Sequence, residues 1–261
     1  MAHQISRRHL LSVSALTAVT AAAVVGAAGQ QPVVRAPRKS PSDRVPPRRE
    51  SATGTSGTDV FWRMQTVDQL VALTFDDGPD PRWTPMVLSA LADHGAQATF
   101  FQMGKAVRKH PEVTRAVHDA GHEVASHTAE HKDLTDLDYD QIWDNLTLTH
   151  EAIVDAIGTP PTLLRPPYGR IDSLGLFAAA ELGYRVAMWS HHLPTWEAEA
   201  AVDHNIATAS PGMIILCHDG RGTPEDSLYV AVRRLLGELT KDGYTFVTVS
   251  DMLAAQQARA S

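Results

Sequence analysis

The chain has 261 residues, 43% hydrophobic and 20% charged, with a net charge of −7, which suffices for one substantial core plus an appendage. The charge is uneven: residues 59–261 carry 15 Lys+Arg against 28 Asp+Glu, and a net −13 there repels phosphate backbones and excludes a nucleic-acid partner. The single cysteine, Cys217, excludes an intramolecular disulfide.

Residues 1–29 read as an export signal: a basic start with Arg7-Arg8, an uncharged Ala/Val/Leu-rich run from Leu10, then the small residues Gly26-Ala27-Ala28-Gly29. Ser6-Arg7-Arg8-His9-Leu10-Leu11 resembles the twin-arginine signal, whose route carries folded proteins and would let a metal be loaded before export. The alternative is an uncleaved anchor, since the apolar run is about long enough to span a bilayer. Residues 30–58 are rich in Pro, Arg and Ser and poor in large apolar side chains, so a disordered linker is expected. Its basic balance would allow contact with an anionic wall or membrane surface. A secreted or cell-wall-associated product follows from this reading.

From residue 59 onward, apolar runs of strand length alternate with amphipathic stretches, the βα pattern of a parallel sheet or barrel. Strands are expected at Leu70–Phe75, Ala98–Gln102, Glu123–Ser126, Leu163–Arg165, Tyr184–Trp189, Met213–Cys217 and Thr245–Val249. Helices are expected at Thr84–Asp93, Pro111–Ala120, Tyr139–Ile157, Ser173–Leu182, Glu197–Ala207 and Pro224–Leu239. Gly95, Gly121, Gly158 and Gly183 act as helix stops. About seven parallel strands predict an α/β fold, a distorted and incomplete (β/α) barrel, as one domain over 59–261.

The polar residues of interest follow strands: Asp76-Asp77, His127, Arg165, the segment Trp189–Trp196 and His218-Asp219. Loops at the carboxyl ends of barrel strands converge on one face, so these five segments are expected to build one site. Adjacent carboxylates ending a buried strand are costly to desolvate unless a cation or proton divides their work, which points to metal-assisted acid/base chemistry. Neighbouring strand residues face opposite ways, so Asp76 and Asp77 share a site only if the strand stops there, and Gly78-Pro79 supplies the stop.

His127-Thr128-Ala129-Glu130-His131 offers two imidazoles which, with Asp77, form a two-histidine, one-carboxylate set with open positions for water and substrate. His-x-x-Glu-His also matches the inverted zinc-protease motif, but that motif needs a helix. Here the flanks read as strand (Glu123–Ser126) and loop (Lys132–Asp136).

Taken in order, Thr74-Phe75-Asp76-Asp77-Gly78-Pro79, His127-Thr128-Ala129-Glu130-His131, Arg165-Pro166-Pro167-Tyr168-Gly169 and Leu216-Cys217-His218-Asp219 resemble the signature segments of the polysaccharide deacetylase family (NodB homology, carbohydrate esterase family 4). Ala98-Thr99-Phe100-Phe101 fits a further strand, and the resemblance spans Gln69–Leu253. It implies a divalent metal, Zn²⁺ above other ions, on Asp77, His127 and His131. It further implies Asp76 as general base, His218 as general acid and the Tyr168 N–H as oxyanion donor. Arg165 would pair with Asp76 and aim it, while Pro166 and Pro167 stiffen the loop. The implied substrate is an acetylated carbohydrate, foremost N-acetylglucosamine units of peptidoglycan or chitin, with a monomer expected.

One segment departs from the family pattern. Where the family carries Asp-x-x-Asp-Trp, this chain reads His192-Leu193-Pro194-Thr195-Trp196, losing both acids and the charge that would sit beside the acid histidine. An imidazole without a carboxylate holds its proton less tightly, so His218 is expected to be a weaker acid catalyst unless another carboxylate stands in. Weak acid catalysis tilts the substrate toward an O-acetyl ester such as acetylated xylan, and an eroded motif also admits a non-catalytic carbohydrate-binding protein. Trp196 is expected to stack on sugar; His191 and His192 are candidates for the same lining, with a plain structural role the favoured reading for each. Asp219 should point away from His218's face as a structural hydrogen-bonding residue. Trp62 and Trp83 read as packing, and Cys217 as a buried small hydrophobe.

Overall fold

The computed structural model describes residues 57–195, 197–220 and 226–260. The expected export signal lies outside the described residues, as does the linker up to residue 56. Among the described residues no helix is long and apolar enough to cross a membrane.

Nine strands alternate with eight helices among the described residues. They run β1 (Val60–Phe61), β2 (Leu70–Asp76), α1 (Trp83–Ala92), β3 (Ala98–Gln102), α2 (Gly104–Lys109), α3 (Pro111–Asp119), β4 (Glu123–Ser126), α4 (Tyr139–Ile157), β5 (Leu163–Leu164) and α5 (Ser173–Glu181). They continue with β6 (Arg185–Ala187), β7 (His191–His192), α6 (Ala198–Ala207), β8 (Ile214–His218), α7 (Asp226–Lys241), β9 (Thr245–Phe246) and α8 (Val249–Ala260). The named strands pair in parallel in the order β1-β6-β5-β4-β3-β2-β8-β7, with β9 on the first residues of β2.

The sheet curls because the run 185–192 leaves β5 as β6 and arrives beside β8 as β7. Pieces of two residues, β1 and β7, make this side of the closure, so the barrel is incomplete. All seven expected strands are present. β1 and β7 add to them, being too short to carry a periodic signal. The helices α2 and α8 also lay outside the expectation.

The two-residue period of β2 sorts its side chains. Val71, Leu73 and Phe75 face the outer helices in the largest apolar cluster, with Val87 and Leu91 of α1 and Leu235 of α7. Ala72 faces the interior with Phe101, Ala125, Ile214 and Met252. On that interior row Ala72 is followed by Thr74 and Asp76, so the same alternation that builds the core aims Asp76 at the carboxyl-end mouth. Local signals hold the helices. Asp138 and Gln141 form a capping box on α4, which Gly158 ends at φ +72°.

Candidate active site

The strand β2 stops at Asp76, and Asp77 adopts φ +74°. That reversal brings two consecutive carboxylates to one site, which a continuing strand would forbid. The non-glycine residues in the left-handed region, among the described residues, are Asp77, Thr128, His131 and Tyr168. All four belong to the segments singled out from the sequence. A β-branched Thr128 at φ +64° is a backbone outlier, and such strain gathers where a site over-determines the chain.

Asp77 Oδ1 lies 3.6 Å from His127 Nε2 and 3.4 Å from His131 Nε2. Ligand atoms of these three residues all lie within 4.8 Å of one another, and all three side chains are buried. His127 is locked from behind. Its Nδ1 is 2.7 Å from the Arg165 carbonyl, a bond that puts the proton on Nδ1 and leaves the Nε2 lone pair facing the site. Burial lowers the His127 pKa and favours the neutral, ligating imidazole. Two imidazole nitrogens and one carboxylate oxygen at these separations suit a divalent cation.

The loop bearing both histidines is not helical. Its carbonyls at Thr128 and Ala129 accept the Gly104 and Lys105 N–H groups at the start of α2, at 3.0 and 3.2 Å. Glu130, between the histidines, is gripped by Lys105 and Lys132 at 2.5 and 2.6 Å, and these partners hold its carboxyl well below the usual range, at about 2. The inverted zinc-protease geometry is therefore absent from this segment.

Arg165 is fully buried at the barrel mouth. Its Nη1 donates to Asp76 Oδ1 at 2.8 Å and to Thr74 Oγ1 at 2.7 Å, Nε donates to the Ala187 carbonyl at 3.0 Å, and Nη2 to the Met188 carbonyl at 2.9 Å. The guanidinium also lies 4.0 Å over the Phe101 ring. Burial lowers the Arg165 pKa and the Asp76 charge opposes that shift. The Thr74 contact was missed from sequence, although its place two residues before Asp76 puts it on the same face.

His218 ends β8 directly beside Asp76 in the parallel register. The His192 ring stands edge-on to it, with centroids 6.0 Å apart. The fold thus seats His192, a candidate sugar-lining residue, against His218 at the site. Burial, with the nearby His218 charge second, lowers the His192 pKa. His191 instead meets Ser190 Oγ at 2.9 Å and Thr208 Oγ1 at 3.2 Å. Pro167 is buried at the head of a 3₁₀ turn, Pro167–Gly169, while Tyr168 is 58% exposed and its ring lies edge-on to His131 at 4.6 Å. Trp196 lies outside the described residues.

Asp219 is fully buried away from the His218 side chain, as alternation requires, and accepts the Thr84 hydroxyl at 2.5 Å. Burial, then the neighbouring aspartates, push its carboxyl up to about 7. Cys217 is fully buried and its thiol pKa is raised by burial, in keeping with a small hydrophobe. Trp83 stacks on Tyr229 at 5.2 Å, as expected of packing. Trp62 departs from that expectation: it is 56% exposed, because β1 is a short strand at the sheet's rim.

Residues 63–187 match the family model described as polysaccharide deacetylase. Over 199 residues the chain is 37% identical to a peptidoglycan-N-acetylglucosamine deacetylase of Bacillus cereus, covering 74% of this chain and 92% of that protein. The chain belongs to the polysaccharide deacetylase family. It is also 33% identical over 208 residues to the peptidoglycan-N-acetylmuramic acid deacetylase PdaA of Bacillus subtilis, covering 77% and 78% of the two chains. The crystal structure of the Bc1960 peptidoglycan N-acetylglucosamine deacetylase superposes with a TM-score of 0.69 at 30% identity, over 73% of this chain and 91% of that one. This chain is thus a metal-dependent deacetylase acting on carbohydrate, built on the family's curled α/β barrel. The family match ends at Ala187, and β8 brings His218 to the site from beyond it.

Proposed function

We propose that this deacetylase is exported by the twin-arginine route and removes N-acetyl groups from peptidoglycan amino sugars, with Zn²⁺ held by Asp77, His127 and His131. The carrying observation is the convergence of that buried trio with the Arg165-bound Asp76 on one side and His218 in register beside Asp76. The named activities of the Bacillus relatives support the amino-sugar substrate. The basic, Ala-rich residues 1–29 support export, and residues 30–58 serve as the tether that leaves 59–261 as the catalytic domain.

A divalent cation in this donor set supplies Lewis-acid polarisation of water and of the acetyl oxygen. Asp76 accepts the proton of the attacking water, its Oδ1 immobilised by Arg165 so that Oδ2 is the oxygen left to face the site. Oδ2 is 3.8 Å from His127 Nε2, close enough to share the same small volume of reaction. As the acetyl carbon becomes tetrahedral, the Tyr168 N–H donates to its oxygen from the turn that buried Pro167 stiffens. His218 then gives a proton to the departing sugar nitrogen, and the exposed Tyr168 ring offers aromatic surface to the glycan, a role assigned also to Trp196 from its place in the sequence alone.

The test is acetate release by the full chain from purified peptidoglycan, chitooligosaccharides and acetylxylan, each with and without a chelator and Zn²⁺ re-addition. Chelator-sensitive release from peptidoglycan is expected. Release confined to acetylxylan would overturn the substrate, and chelator-insensitive release would overturn the metal site. For export, replacing Arg7 and Arg8 together by lysine should retain the protein inside the cell; unchanged secretion would refute the route.

A further inference from the structure

A fully buried carboxylate is costly, and Asp219 sits where an apolar or amide side chain would be cheaper to bury. Its surroundings show what it touches. Its two oxygens lie so close beneath Gly78 that a Cβ there would approach them to 2.4 and 2.7 Å. Oδ2 accepts the Thr84 hydroxyl, and the Thr84 oxygen in turn accepts the Asp80 N–H at 2.9 Å. The Asp219 N–H itself donates to the Asp76 carbonyl at 3.1 Å. From the opposite side Met103 N–H holds the Gly78 carbonyl at 2.8 Å. Asp80, the far end of the turn, accepts the Arg82 and Trp83 N–H groups and starts α1. The turn is therefore tied at three points: Asp76 to the Asp219 main chain, Asp80 to the Asp219 carboxyl through Thr84, and Gly78 to Met103 on one side with the Asp219 oxygens packed against its Cα.

We propose that Asp219 is a positioning residue: its carboxylate, seated under Gly78 and linked through Thr84 to Asp80, sets the turn that holds Asp76 and Asp77 in reacting geometry. The inference rests on the roles proposed above for those two aspartates. Asp77 stands between Asp76 and Gly78 at a positive φ, so a turn free to relax would let it leave the left-handed region and carry its carboxylate off the histidine pair. Asp219 touches no substrate. It acts through the main chain beneath the site, and glycine at 78 is what allows the carboxylate that close.

The experiment compares Asp219→Ala, Asp219→Asn, Thr84→Val, Gly78→Ala and the Gly78→Ala/Asp219→Ala pair in the full chain. It measures acetate-release kinetics, Zn²⁺ affinity by titration calorimetry, and thermal unfolding. Asp219→Ala and Thr84→Val are expected to lower kcat and weaken Zn²⁺ binding by about 10–100-fold each, the size typical of lost outer-shell support, with KM little changed. Asp219→Asn should recover most of both, because its amide oxygen still accepts the Thr84 hydroxyl. Gly78→Ala should be less harmful in the Asp219→Ala background than alone, since the methyl then has room. Variants that unfold at lower temperature yet keep wild-type kcat and Zn²⁺ affinity would overturn the proposal, as would strict additivity of the Gly78 pair. A wild-type chain that binds no cation would overturn the metal-site reading itself, and this inference with it.

Discussion

Arg165 Nη1 meets Asp76 Oδ1 at 2.8 Å, and neither side chain is more than 4% exposed. The guanidinium also donates to Thr74 and to the carbonyls of Ala187 and Met188, so it is held at once from β2 and from the end of β6. Asp76 is thereby fixed against a rigid cation that itself cannot move.

Two variants separate the partners. Asp76→Asn should lower kcat by about 10²–10⁴-fold, the range of a lost general base, while the bound metal per chain stays at the wild-type value. Arg165→Met should both cripple turnover and destabilise the fold by about 3–5 kcal/mol, because it leaves a buried carboxylate without its counter-ion. Urea unfolding and metal analysis check both. Asp76→Asn with near-wild-type turnover would remove Asp76 from the proton-accepting role.

His131→Ala removes one of three donors and with it the edge contact to Tyr168. Zn²⁺ affinity should fall by at least about 100-fold, since even second-sphere losses reach that size. Free Zn²⁺ at a hundred times the wild-type Kd should stabilise the wild-type fold by about 2.7 kcal/mol and leave the variant nearly unshifted. Equal stabilisation of both chains would refute the ligand assignment.

Thr195→Asp restores a negative charge to the segment that precedes Trp196. If that charge reaches His218, it favours the imidazolium, so the acid form persists to higher pH. The alkaline limb of the pH–rate profile should then move upward while the acid limb stays. His192, whose ring is 6.0 Å from that of His218, gives a second lever, because His192→Asp would introduce the charge from β7 itself. Profiles that superpose for all three chains would show that leaving-group protonation does not depend on this flank.

The strands and the polar residues at their ends could be read from sequence because β2, β3, β4 and β8 are apolar runs of four to seven residues with chemistry immediately after them. β1 and β7 could not, since two residues form no period and their place follows only from the curl of the sheet. The helix α2 was hidden because it starts at Gly104, a poor helix former required there by the Thr149 backbone, to which a Cβ would come within 2.9 Å. At the site, residue identities pointed to the metal trio and to the base. The left-handed turns at Asp77 and His131, the His192 contact and the seat of Asp219 under Gly78 depend on backbone geometry and on distant segments, which a linear pattern does not encode.

His122 gives the domain a built-in acid sensitivity away from the site. Its ring is 7% exposed, packs tilted against Phe100 at 5.5 Å, and its Nδ1 accepts the Ala98 N–H at 3.3 Å, a bond that protonation would destroy. Burial lowers its pKa from 6.5 to about 4. The unfolded imidazole takes up its proton below 6.5 and the folded one only below about 4, so across that window the unfolded state binds more protons and stability falls as pH falls. The full loss for such a shift is about 3 kcal/mol, complete below the folded pKa and absent above neutrality. Urea unfolding of wild type and His122→Asn at pH 7.5 and pH 5 isolates it, because every other acid-sensitive group is common to both chains. The variant should start less stable at pH 7.5 and lose less on acidification, whereas parallel losses would show that the ring takes up its proton without disturbing the β3 edge.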